Sequence, residues 1–189
     1  MSILISLTVA NRVEFNPQTD WLYGQLMLLT VVCGLTCQAN STLFLPAASH
    51  EHKSQSQSNL LPTLIASIVV ISISVAILYS SITTTALIML GSDMPIYPII
   101  IMAIYGALHT INDLCLNLFR GIENYGFAVT PFFIGTLSSA IFILLIPEGD
   151  VEPINLILLS IVIPPFTAFF INIILLIKIK ILKLSAFNK

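Results

Sequence analysis

The stretch Ile154–Ile177, INLILLSIVIPPFTAFFINIILLI, contains no Asp, Glu, Lys or Arg and is apolar on every side of any helix it could form. A hydrocarbon core is crossed by about 20 such residues at about 1.5 Å rise each, so the block can span a bilayer. Four further blocks precede it: Trp21–Leu45, Leu60–Ile82, Ile96–Phe119 and Phe127–Ile146. Strands of a membrane β-barrel would alternate apolar and polar residues over about 10 positions. Neither Ile65–Ile77 nor Ile154–Ile163 alternates. The sequence therefore predicts an all-α, polytopic transmembrane helix bundle of about five spans.

Composition agrees. With 57% hydrophobic and 8% charged residues and a mean hydropathy of +0.99, the chain needs lipid as its solvent. A net charge of −2 gives no basic footprint for nucleic acid. Cys33, Cys37 and Cys115 sit inside apolar blocks and read as small core residues, not as a disulfide or metal set. No cofactor is expected.

Within the blocks, polar and special residues give each span a character. Trp21 and Tyr23 mark an interfacial start for the first span, and Pro46 is expected to close it. In the second, Ser67, Ser74 and Ser81 recur every seven residues, which predicts that this side faces another helix. The apolar run Thr83–Leu90 leaves its end open, up to the breaker Gly91-Ser92-Asp93-Met94-Pro95. Pro164-Pro165 remove two backbone donors from the middle of the last span and should bend it.

The connections Ala47–Asn59, Gly91–Pro95, Arg120–Gly126 and Pro147–Pro153 are short and polar, so no soluble domain is inserted. Cytoplasmic loops retain Lys and Arg. An outside N-terminal end places Lys53, Arg120, Lys178, Lys180, Lys183 and Lys189 inside and Arg12 alone outside, which fixes the expected orientation with the C-terminus in the cytoplasm. Residues 1–20 are read as the remnant of a first helix, Ile3–Ala10 being its last turns, followed by an outer loop; 21–183 form the bundle and 184–189 a cytoplasmic tail.

Chemistry concentrates in the third span. Relative to His109, Asn112 lies at about −60°, Asp113 at about +40°, Asn117 at about +80° and Arg120 at about +20° around a helix, so the five share a face. A charge near mid-bilayer costs roughly 2.5–3.5 kcal/mol, so this face should meet a wet cavity or polar partners. Two readings stand: a stripe that handles substrate or protons, with Asp113 changing charge and His109 as donor, or a polar patch that joins helices, His109 and Asp113 satisfying each other. Arg120 also fits an interfacial anchor. Gln38 and Asn40 could line the same cavity or belong to a helix end.

His50-Glu51-His52 has two His in a Ser/Gln-rich loop without further ligands, and reads as solvated loop rather than a metal site. Asn40-Ser41-Thr42 has the form of a glycosylation triplet but falls at the inner side of the first span. The chain has no G-x-S-x-G, no H-E-x-x-H and no phosphate-cradling glycine loop, which argues against an enzyme.

The Tyr23-Gly24 helix start, the hydrophilic loop Ser49–Asn59, the Ser-rich apolar helix, and Leu118-Phe119-Arg120-Gly121 leading to Tyr125-Gly126 resemble the first half of the O-antigen and polysaccharide flippases of the multidrug/oligosaccharidyl-lipid/polysaccharide exporter superfamily. The resemblance covers Asp20–Lys183, as spans two to six of the family pattern. It implies half of a two-lobe exporter in a cytoplasmic (inner) membrane, moving a polyprenyl-diphosphate-linked oligosaccharide across the bilayer for surface polysaccharide biosynthesis. It also implies a cavity at His109, Asp113, Asn117 and Arg120, with cationic groups on the lipid diphosphate. The second lobe is absent, so a partner chain or missing half is expected. Other readings are a membrane scaffold or assembly subunit that transports nothing, and a multidrug-exporter relative.

Overall fold

The computed structural model describes residues 17–54, 60–89, 96–147 and 151–178. They form five helices: α1 (Pro17–Ser54), α2 (Leu60–Met89), α3 (Tyr97–Gly121), α4 (Tyr125–Leu145) and α5 (Pro153–Lys178). Each is long and apolar enough to cross a membrane. The protein is an all-α helix bundle and a multi-pass membrane protein. The expected helical remnant at Ile3–Ala10 and the tail 184–189 lie outside the described residues.

Contacts between helices show that consecutive helices run in opposite directions. Tyr79 and Thr83 of α2 both donate to the Oε1 of Gln25 on α1, at 3.2 and 3.3 Å, joining the end of α2 to the start of α1. The Lys178 Nζ, at the end of α5, stands 5.6 Å over the ring of Phe127, at the start of α4. Helices α1 and α3 run parallel. Cys33 Sγ donates to the Gly106 carbonyl at 3.7 Å, and further along, Ala48 packs on Gly121. Up-and-down alternation is what five successive crossings require.

Helix α3 packs against all four other helices. In its most apolar window 56% of residues are buried, against 22–33% in the other four helices, so the least uniformly apolar helix but α1 is the one shielded from lipid. Outward faces carry Val31, Val70, Ile77, Phe133, Leu144 and Ile174, all well exposed, as expected for side chains whose solvent is acyl chain.

Two expectations need correction, and one boundary left open is resolved. Pro46 does not close the first span: α1 continues through it to Ser54, giving 38 residues or about 57 Å, well beyond the hydrocarbon thickness of about 30 Å. A proline forfeits one hydrogen bond to residue i−4, and an exposed helix tolerates that by bending. His50 thus lies on an exposed helix end and not in a loop, while Asn40, Ser41 and Thr42 lie inside α1 with their side chains bonded to Thr36, Gln38 and Ala39 carbonyls. The open end of the second span resolves as helix, and Thr83–Met89 belong to α2.

Second, the seven-residue serine repeat does not face a helix. Ser74 and Ser81 are exposed, and Ser67 and Ser74 return their hydroxyls to their own helix at the Thr63 and Val70 carbonyls. The inward face of α2 is instead Ile68, Ser72, Val75, Tyr79, Thr83 and Leu87. A serine that bonds its i−4 carbonyl presents little polarity to lipid, so serine spacing alone does not report the packed face.

Helices α4 and α5 meet through small residues. The buried face of α4 is Ala128, Pro131, Gly135, Ser139 and Ile143. At Gly135 a Cβ would come 2.4 Å from the Pro164 carbonyl oxygen, so only glycine allows the two backbones to approach this closely. Between α3 and α4 the chain turns in three residues, with Glu123 at φ 60° and the Asn124 side chain accepting from the Phe127 N–H at 3.3 Å as the N-cap of α4.

Candidate functional site: a midplane cleft

Pro164-Pro165 break the hydrogen-bond ladder of α5 at its middle, and the neighbouring helices repair part of it. Pro164 has no N–H for the Ser160 carbonyl. The Ser139 hydroxyl of α4 donates to that carbonyl at 3.3 Å. Asn112 of α3, fully buried, donates its amide to the Pro165 carbonyl at 2.8 Å and accepts from the Asn172 amide at 2.7 Å. In a bilayer such groups have no water to turn to, so these bonds tie α3 and α4 to α5 at the proline pair.

Beside the proline pair lies a cavity of about 410 Å³. Its walls are Leu26 and Thr30 from α1 and Phe132 and Thr136 from α4. Its floor is Tyr105, His109 and Asn112 from α3 with Ser160, Ile161, Pro164 and Pro165 from α5. Helices α1 and α4 both pack on α3 but make little contact with one another, so the space between them is a cleft. His109 is the central residue of α3, and the proline pair is central in α5, so the cleft sits near the bilayer midplane.

His109 Nδ1 lies 3.3 Å from Asp113 Oδ2, one helical turn on. The approach lacks the alignment of a hydrogen bond, which leaves this buried nitrogen with a charged neighbour but no hydrogen-bond partner. The Tyr105 ring meets the imidazole edge-on at 5.5 Å, and the Tyr105 hydroxyl reaches toward Thr30 across the cleft wall. On its other side, Asp113 faces the Cys37 thiol of α1.

Of the five residues picked out on the third span, His109 and Asn112 line the cleft and Asp113 stands behind His109. Asn117 is half-buried farther down α3, and Arg120 is exposed at the helix end. Neither reaches the cavity. Asn112 joins helices, as the polar-patch reading expects, but His109 and Asp113 do not satisfy each other by a hydrogen bond. Of the first-span pair, Gln38 is exposed and Asn40 bonds its own helix, so neither lines the cavity. Sequence reading passed over Tyr105, Thr30, Thr136 and Asn172. The nearest signal was Asn172, an amide well inside a block without ionisable groups.

Cys33, Cys37 and Cys115 are buried free thiols, and among the described residues no group of three His, Cys, Asp or Glu is placed to hold a metal. Comparison with family models, with curated proteins and with solved structures returned no match.

Proposed function

We propose that this chain is a transport bundle of the cytoplasmic membrane that admits an amphipathic solute from the side, between α1 and α4, to a polar site at mid-depth. One observation carries the reading: a cleft of about 410 Å³, lined by His109, Tyr105 and Thr136, beside the Pro164-Pro165 pair of α5 and with the Asp113 carboxyl next to His109. Intramembrane ionisable residues mark substrate or ion pathways, and sites of this kind form near the midplane where a helix is broken. The resemblance to polysaccharide flippases makes a polyprenyl-diphosphate-linked oligosaccharide the solute proposed, with a second lobe completing the path.

Orientation is part of the proposal. Arg120 ends α3 and Lys178 ends α5 on the same side of the bundle, while the described residues at the opposite ends include Asp20 and Glu152 without Lys or Arg. The positive-inside bias therefore puts Arg120, Lys178 and the C-terminal tail in the cytoplasm. Reporter fusions at Pro147–Pro153 and after Lys178 test it, and the reverse pattern would refute the orientation.

A second reading, a scaffold that transports nothing, draws on Asn112, whose amide joins α3 to the Pro165 carbonyl and the Asn172 amide of α5. Replacing His109 and Asp113 together by Ala separates the two. Surface glycan output that falls at matched protein level supports transport; unchanged output supports the scaffold.

A further inference from the structure

We infer that the midplane cleft takes an uncharged, hydroxyl-bearing headgroup and excludes phosphate. This inference rests on the transport reading above and deepens it. The Tyr105 and Thr136 hydroxyls and the His109 imidazole line the cleft, and each can both donate and accept a hydrogen bond. Pro165 has no N–H to give the carbonyl of Ile161, four residues earlier in α5, and Ile161 lines the same wall. Two aromatic side chains, Tyr105 and Phe132, line the same cleft. A ring bearing several hydroxyls, with polar edges and apolar faces, matches that mixture.

Charge excludes the alternatives. Among the described residues no Lys or Arg lines the cleft, and Arg120 is eleven residues along α3 from His109, about 16 Å away. The nearest formal charge is the Asp113 carboxylate, 3.3 Å from His109. The ionisable groups around the His109–Asp113 pair are Tyr105 on the same helix, beside His109, and Cys33 and Cys37 across on α1, beside Asp113; the α4 and α5 residues that line the cleft are not ionisable. No Lys or Arg is therefore at hand to balance a buried phosphate. A cation is disfavoured too, because Asp113 does not line the cleft and His109 stands between them. In a lipid-diphosphate-linked solute the diphosphate would then ride at headgroup level, near Arg120 and Lys178.

The full chain in native membranes, carrying Thr136→Cys, is labelled with a membrane-impermeant maleimide. The unsubstituted chain, whose Cys33, Cys37 and Cys115 are buried, is the control, and Thr30→Cys is a second reporter should the first fail to accumulate. Decyl maltoside, decyl phosphate and decyltrimethylammonium, each below its micelle concentration, are the competitors. Saturating decyl maltoside is expected to slow labelling about tenfold, as occupancy near nine-tenths requires, with the other two leaving it unchanged. Protection by decyl phosphate or decyltrimethylammonium equal to that by the maltoside, or protection by none of the three, overturns the headgroup assignment while leaving a water-accessible site. Absence of labelling at both positions shows a closed, dry interior, and overturns the transport reading and the headgroup assignment together.

Discussion

The Ser139 hydroxyl on α4 donates to the Ser160 carbonyl on α5, the group that residue 164, being proline, cannot serve from within the helix. One helix thus completes the hydrogen bonding of another. The two side chains are coupled through the bend and should respond to substitution together.

Ser139→Ala is expected to destabilise the bundle by about 1–2 kcal/mol, the cost of leaving a buried carbonyl unpaired. In a Pro164→Ala background the Ser160 carbonyl regains a backbone donor, so the same change should cost clearly less. A double-mutant cycle of thermal unfolding in detergent measures the difference. Equal losses in the two backgrounds would refute the coupling.

Asn112→Leu removes two buried bonds at once, those to the Pro165 carbonyl and from the Asn172 amide. A loss of about 2–4 kcal/mol is expected from two unmade buried bonds. The double variant Asn112→Leu/Asn172→Leu should lose less than the sum of the singles, since each removes the same partnership. Additive losses in chemical denaturation would show that the two amides act separately.

Glycine positions divide by what surrounds them. A Cβ at Gly135 would meet the Pro164 carbonyl oxygen at 2.4 Å, and one at Gly121 would meet the Ala48 Cβ at 2.6 Å and the Leu45 carbonyl oxygen at 2.8 Å. Alanine at either must push two backbones apart, and folded yield should drop sharply. At Gly24 and Gly34 nothing lies within 4 Å, so alanine there should be neutral or stabilise by up to about 1 kcal/mol through helix propensity. Yield and size-exclusion profile of the four variants provide the comparison.

The serines of α2 give a test of which face packs. Ser74→Leu and Ser81→Leu should leave stability within about 0.5 kcal/mol of the parent, because both positions face lipid. Ser72→Leu, at a fully buried site, should cost about 1–3 kcal/mol by overpacking. The opposite ranking in a thermal-shift assay would return the seven-residue repeat to the interior.

Much was legible from the chain alone. Uniformly apolar blocks such as Ile154–Ile163 determined that the protein spans a membrane and is helical, because lipid offers no partner for unpaired backbone and only a closed ladder survives there. The number of spans, the buried state of the three cysteines and the polar face of α3 followed from the same reading. What the sequence could not decide was which polar residue meets which. Asn112 and Asp113 are neighbours on one stripe, yet one is spent on the Pro165 carbonyl and the other backs His109 at a cleft, and Arg120 on that same stripe reaches neither. A helical period reports direction around one axis and says nothing of the distance to a second helix. That distance is set by small residues such as Gly135 against Pro164 and by the gap left between α1 and α4. Only the tertiary structure could therefore place the cleft, and with it the roles of Tyr105, Thr136 and Asn172.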